Sequence, residues 1–290
     1  MSKEETDLAE TRPISLSLAA EAVQHSARVN EGRDSFVQQL HRLWEVVYVL
    51  VSRQYKGRYK NTAVGFGWSL ISPLLYLMVF YVVFKIAFAI TIPFYATFVF
   101  TGVLAWMWVS SALNDSVASI TAHASLVSQP GFPVTALPMV AILTNLVNFL
   151  TALPVLILIA LIEGTAINGY VVLLPLVIVV QVLLMLSLSY LVAALNVGFR
   201  DTQYTLPVLL QLGYYVTPIF YDASTVPEKY HVYLALNPMF HIIGAYRDIV
   251  ISGAAPDPVP LLWVTAGSVA VLVVTHRYFS KASRHFLEEL

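Results

Sequence analysis

The chain has 290 residues, 58% hydrophobic and 11% charged, with a net charge of -1 and a mean hydropathy of +0.73. Soluble domains carry about 25% charged residues, so this composition fits a bilayer as solvent, and its near-neutral balance gives no electrostatic reason for a nucleic-acid partner. Cysteine is absent, which excludes disulfides, thiolate metal sites and a cysteine nucleophile.

Residues 1–34 mix acids, bases, Ser and Ala with no sustained period and read as a disordered cytoplasmic tail. Their start, MSKEETDLAE, has no apolar h-region of a signal peptide. From Phe36 the apolar residues Phe36, Leu40, Leu43, Trp44, Val47 and Val51 fall three or four apart, with Gln38, Gln39, Arg42 and Glu45 on the other side. This spacing predicts an amphipathic helix, lying in the headgroup plane or against a partner subunit. A basic run holding Arg53, Lys56, Arg58 and Lys60 then leads into 68–90, WSLISPLLYLMVFYVVFKIAFAI. As a helix this stretch covers about 35 Å, enough to cross a hydrocarbon core of about 30 Å.

Hydropathy and breakers predict six spans: 68–90, 94–113, 134–162, 171–195, 206–221 and 259–279, the third kinked at Pro154. Between the second and third lies a polar segment whose helical pattern, Ser116–Val127, is too short to span. Glu163-Gly164 and Asn168-Gly169 bracket a tight outer turn, and Asn196–Thr202 forms a short inner one. After the fifth span, 222–258 holds two apolar pieces, 230–236 and 239–252, separated by Asn237-Pro238. The longer piece would cover only about 21 Å, so the pair reads as re-entrant or interfacial helices. Leaving the tail aside, the predicted inner segments hold nine Lys and Arg and the outer ones two, Lys229 and Arg247, which puts both termini in the cytoplasm. The fold class expected is all-α and polytopic, with six transmembrane helices, an N-terminal interfacial helix and two short outer helices.

Catalytic groups held at membrane depth are expensive and therefore conspicuous, and these spans are almost empty of them. There is no His-Glu-x-x-His, no Gly-x-Gly-Asp to partner Tyr221-Asp222, and no Gly-Lys dipeptide on which a P-loop could be built. No catalytic residue and no metal ligand is assigned. Lys85, the one charge well inside a span, either snorkels outward or meets an anionic substrate. Tyr76, Phe80 and Phe84 recur every four residues, and Tyr214, Tyr215, Phe220 and Tyr221 cluster at the fifth span. These rings suit a path for a glycan, stacking on sugar C–H faces, and equally suit interhelix packing and interfacial belts. Arg53, Lys56, Arg58 and Lys60 are candidates to meet an anionic headgroup or a diphosphate, although topology alone also places cations there. Arg200-Asp201 and Arg247-Asp248 each read as a salt bridge fixing a loop, but neighbours on a helix do not face each other, so the second pair is expected to find separate partners.

The residues at this point resemble a family. RQYKGRYKNTAVGFGWSLISP (53–73), GFPVTALP (131–138), NVGFRD (196–201), YVTPIFY (215–221), NPM (237–239) and YRD (246–248) follow, in order, the pattern of membrane subunits of type-2 ABC exporters that move O-antigen, capsule, teichoic acid and galactan chains on lipid carriers. The resemblance covers about residues 36–285 and implies one transmembrane domain over 35–285. It also implies a homodimer forming one channel, driven by two copies of a separate ATPase that carries the Mg-ATP, with no cofactor in this chain. By the same resemblance, Phe36–Val51 is the interfacial helix, and Ser116–Val127, with Ser119 and His123, is the helix that couples to the ATPase. Phe199, Arg200 and Asp201 form a second ATPase contact. The pair 228–236 and 239–252, with Pro238, Arg247 and Asp248, forms the outer gate. One departure is that Ser128-Gln-Pro-Gly131 carries no cation where relatives often have Lys or Arg.

The expected function is therefore the plasma-membrane permease of an ATP-driven exporter moving polyprenyl-diphosphate-linked polysaccharide from the cytoplasmic to the outer face. The alternatives are a drug or small-lipid exporter of the same membrane class and a membrane scaffold for glycan synthesis.

Overall fold

A computed structural model describes residues 36–58, 67–129 and 131–282. The tail over 1–34 and Lys60 lie outside these residues. Helix α1 (Phe36–Arg58) extends the predicted interfacial helix by two turns, so Arg53, Lys56 and Arg58 are helical rather than part of a connecting run. Helix α2 (Trp68–Phe80) continues as a π-helical turn, Tyr81–Ala87. Then follow α3 (Tyr95–Val117), a 3-10 turn at Thr121–His123 with the four-residue α4 (Ala124–Val127), α5 (Ala136–Glu163) and α6 (Leu174–Gly198). The chain closes with α7 (Thr202–Val216), α8 (His231–Leu236), α9 (Pro238–Arg247), whose end widens into a π turn over Asp248–Ser252, and α10 (Pro258–Ala282).

Among the described residues, five helical segments are long and apolar enough to cross a membrane: Trp68–Ala87, Tyr95–Val117, Ala136–Glu163, Gly169–Gly198 and Pro258–Ser280. They match five of the six expected spans within a few residues at each end. The sixth, 206–221, differs. Helix α7 has 15 residues, a rise of about 22 Å, and the chain leaves it at Thr217-Pro218. Pro218 lacks the N–H a continuing helix needs, and a residue before proline is pushed to extended backbone, which is where Thr217 sits (φ -81, ψ 131).

Helix α3 is the axis of the bundle. Over an 18-residue apolar stretch of α3, 83% of residues are buried, against 6% over such a stretch of Trp68–Ala87. A helix apolar all round can face lipid or protein; what decides here is size, because Thr97, Thr101, Gly102, Ala105, Ala112 and Ser116 let neighbouring helices approach α3 closely. Helices α5 and α6 take up that approach and share one large core with it. Several interior polar groups of α3, α6 and α9 are satisfied pairwise. Gln181 Nε2 donates to the Ala105 carbonyl (2.9 Å), Tyr246 Oη donates to Gln181 Oε1 (2.9 Å), and Ser116 Oγ donates to Ser189 Oγ (3.0 Å). In hydrocarbon such partners are obligatory, since no water replaces them.

A second, smaller core gathers the end of the bundle that carries the basic residues. Val47 and Leu50 of α1 pack with Ile120, Leu126 and Val127, with Ala136 and Leu137 of α5, and with Tyr190 and Val197 of α6. Helix α3 runs four residues beyond the expected boundary, through Asn114, Asp115, Ser116 and Val117. Asp115 pairs with Arg58, Ser116 Oγ donates to the Ala112 carbonyl and Val117 joins the larger core, so polarity does not end the helix there.

Candidate functional site: an aromatic seam and a basic groove

The sequence-predicted aromatics converge. Phe80 of α2 and Phe84 of its π turn stack on Phe220 with centroids 5.2 and 5.1 Å away, and on each other at 5.8 Å. Tyr214 of α7 lies 6.1 Å from Phe80 and 6.1 Å from Phe220, and Trp106 of α3 meets it edge-on. Tyr215 and Tyr221 continue the cluster, at 6.3 and 5.2 Å from Phe220. Six of the seven candidates thus make a continuous seam between α2 and the α7 segment. Tyr76 lies on the same helix as Phe80 with half its surface exposed. The stacked geometry is the offset arrangement favoured by ring quadrupoles. Tyr214, only 8% exposed, carries a hydroxyl with no hydrogen-bond partner in this seam.

Irregular backbone supports the seam. Beyond α7 the chain runs extended through Thr217, Pro218 and Ile219, leaving carbonyls that no helix satisfies. Arg247, projecting from the last turn of α9, answers them. Its Nη1 donates to Pro218 O (2.9 Å), its Nη2 to Ile219 O (2.8 Å) and Phe98 O (3.2 Å), and its Nε to Phe98 O (3.3 Å). The guanidinium also lies flat on the Phe98 ring, 3.4 Å from its centroid. Asn237 caps α9 by accepting from Met239 N–H and donates to Thr217 Oγ1 (2.8 Å), with Pro238 at the first helical position. Arg247 and Asp248 have separate surroundings, as expected for adjacent helical residues. Because Arg247 is held inside the protein, it belongs to the fold and not to the loop charges that set topology. The backbone N–H of Ser224 holds the Asp222 carboxyl below its ordinary pKa, helped by the charge of Arg247. Burial pushes Asp248 up, and Asp257 adds to the shift.

The same end holds two features that sequence reasoning missed. Glu163, at the end of α5, accepts hydrogen bonds from Thr97 N–H (2.8 Å), Thr97 Oγ1 (2.8 Å) and Ala96 N–H (3.2 Å). A carboxylate thereby caps the positive end of α3, for which Phe94, left-handed at φ 50, offers no side-chain cap. Gly253 (φ +58) has room only for hydrogen: a Cβ there would stand 1.9 Å from the Ala166 carbonyl, and Asn168 Nδ2 donates to the Gly253 carbonyl at 2.6 Å. Lys85 is half-buried, its ammonium 3.4 Å from the Ile90 carbonyl.

At the opposite end a cavity of about 1070 Å³ separates α1 from the end of α3 and the turn after it. Arg53 and Lys56 line it on one side, Asp115, Ser119 and His123 on the other. Two sets of candidates, the basic and the coupling residues, therefore share one groove. Arg53 and Lys56 are exposed, whereas Ser119 is buried with its hydroxyl turned to the Ser116 carbonyl, and His123 Nδ1 donates to the Ser119 carbonyl (2.8 Å). Arg58 stands apart from its neighbours: it pairs with Asp115 and donates to Asn145 Oδ1 (2.9 Å), while Asn145 Nδ2 donates to Asp115 (2.7 Å). Its charge is thus engaged in tying α1 to α3 and α5. Phe199, Arg200 and Asp201 form an exposed turn two residues beyond Val197 of the smaller core, and Arg200 and Asp201 do not form an ion pair.

These features define a class: a multi-pass, all-helical membrane protein with an aromatic seam at one end and a basic groove at the other. A family model described as ABC-2 type transporter matches residues 45–251, and the chain belongs to that family. It is 32% identical to the O-antigen export system permease protein RfbA of Myxococcus xanthus over 88% of this chain and 98% of that protein. The RfbA protein of Klebsiella pneumoniae is 29% identical over 86% and 96% of the two chains. The polysialic acid transport protein KpsM of Escherichia coli is 26% identical over 79% and 90%.

Proposed function

We propose that this chain is the permease subunit of an ATP-driven exporter that carries a polyprenyl-diphosphate-linked polysaccharide from the cytoplasmic to the outer face of the plasma membrane. In this reading both termini are cytoplasmic. Two copies form the channel, and two copies of a separate ATPase, which bind the Mg-ATP, drive it. The observation that carries the proposal is the seam in which Phe80, Phe84, Tyr214 and Phe220 meet across two helices. Rings arranged in this way present faces to sugar C–H groups once the helices part, and the free Tyr214 hydroxyl is a donor for a sugar oxygen. The relatives, named for O-antigen export and polysialic acid transport, support a polymer of sugars over a small amphiphile.

The groove at the other end fits the cytoplasmic side. Arg53 and Lys56 offer cations to a diphosphate, and the short α4 segment with His123, together with the exposed turn Phe199–Asp201, offers the surface on which an ATPase docks. Pulling on that surface would shift α1 and α3 through the link of Arg58 with Asp115, and α3 carries the movement to the seam.

The test is depletion of the protein in its host, followed by fractionation of lipid-linked polysaccharide between the membrane faces. Accumulation of polymer on the cytoplasmic face is expected. A normal glycan distribution overturns the proposal, and changed efflux of small amphiphiles in the same cells would replace it with a drug or lipid exporter.

A further inference from the structure

We infer that Arg247 is the positioning residue of the aromatic seam: it holds the chain break after α7 in the one shape that sets the Phe220 ring against Phe80 and Phe84. The inference rests on reading the seam as the path. The geometry behind it is specific. The guanidinium binds the Pro218 and Ile219 carbonyls, the two immediately before Phe220, and fastens both to the Phe98 carbonyl of α3. From the other side Tyr95 Oη donates to the Phe220 carbonyl (3.1 Å). Phe220 is thus fixed to the central helix on both flanks.

Only arginine suits this task. Its planar fork reaches several carbonyls at once and stacks on Phe98, whereas a lysine ammonium is a single point that must choose among them. Room for the fork comes from Gly102, where a Cβ would stand 3.1 Å from Arg247 Nη2 and 3.1 Å from Ile219 Cγ2. Among the described residues no carboxylate forms a salt bridge with Arg247. Asp222 acts on it only through its field. A part-buried cation held by neutral carbonyls is a costly arrangement, and it persists where backbone geometry depends on it. The clamp sits on α9, one of the short helices outside the spans, so a shift of α9 reaches the carbonyls before Phe220 through Arg247, while Asn237 at its other end holds Thr217.

The natural absence of cysteine makes the chain its own background for cross-linking. Phe84→Cys and Phe220→Cys would be introduced together into the full chain in host membrane vesicles, and the rate of bridging by a short bifunctional thiol-reactive reagent read by mass spectrometry. With Arg247 intact the pair, at positions whose native rings are 5.1 Å apart, should be bridged readily by the reagent. Arg247→Gln should slow the rate per folded molecule at least about tenfold, and Arg247→Lys should restore part of it. Gly102→Ala, which crowds both the fork and Ile219 without removing the charge, should slow it too, and Arg247→Lys, which keeps the charge and loses the fork, decides if Arg247→Gln fails to accumulate. Unchanged rates overturn the inference, as does a loss of folded protein with an unchanged rate in what remains. The readout needs no transport. If cross-linking falls while export by the otherwise native Gly102→Ala chain stays normal, Arg247 positions Phe220 but the seam is not the path.

Discussion

The main long-range ties at the two ends of the bundle differ in kind. At the seam end, side chains bind backbone: Arg247 the carbonyls of Phe98, Pro218 and Ile219, Glu163 the amides of Ala96 and Thr97, Asn168 the carbonyl of Gly253. At the groove end the tie of α1 to α3 and α5 is made between side chains, Arg58 with Asp115 and Asn145, beside an open cavity of about 1070 Å³, and the backbone bonds of Ser119 and His123 are local. Backbone-directed bonds fix a chain path and cannot be exchanged without unfolding it. Bonds between side chains at a wet surface can break and re-form at small cost. The first kind of tie fixes a chain path, and the second can re-pair.

Gly253→Ala is the severest way to break this contrast. The added methyl would stand 1.9 Å from the Ala166 carbonyl at a backbone conformation alanine resists, so either the π turn after α9 or the turn between α5 and α6 must give way. We expect a loss of more than about 3 kcal/mol, read as a lower thermal midpoint in detergent and a smaller membrane-inserted yield. Near-native stability would show that the two turns are not the rigid joint described here.

How much of this was legible in advance follows from the range of the interactions. Five spans, the Asn237-Pro238 break and the convergence of rings spaced four apart in α2 come from composition and period, which are local. The short α7 was obscured because 206–221 is apolar throughout, while its end is decided by Thr217-Pro218 within that run. The extension of α3 through Asn114 and Asp115 was obscured because its justification lies in Arg58, fifty-seven residues earlier. Glu163 was read as a turn residue: nothing local tells that its oxygens reach Thr97, sixty-six positions away. The signal that was available is the absence of an N-cap side chain at Phe94, since a helix start without one needs a partner from elsewhere. The resemblance of YRD (246–248) located Arg247, but its partners are carbonyls and carry no sequence signature.

A smaller effect tests the same end. Glu163→Ala leaves two amides of α3 without their acceptor, which should cost about 1–2 kcal/mol, with Glu163→Gln recovering a good part because its carbonyl oxygen can still accept. Hydrogen exchange at Ala96 and Thr97 should rise in the alanine variant while amides near Arg58 stay protected as before. Equal loosening at both ends would remove the distinction drawn between them.

The smallest stability effect is expected at Arg58, and there the contrast sharpens. Arg58→Ala removes an ion pair that is partly open to water, worth about 1 kcal/mol or less, so the thermal midpoint should hardly move. Export should nevertheless fall, because α1 would lose its tie to α3 and α5 and motion begun at the groove would not reach the seam. Exchanging the charges, Arg58→Asp with Asp115→Arg, tests whether it is the tie itself that matters: transport should recover in the double variant relative to either single one. Stability spared with export lost is the signature of a moving joint. A large drop in stability with export retained per folded molecule would place Arg58 among the fixed bonds instead, and the groove end would then be as rigid as the seam.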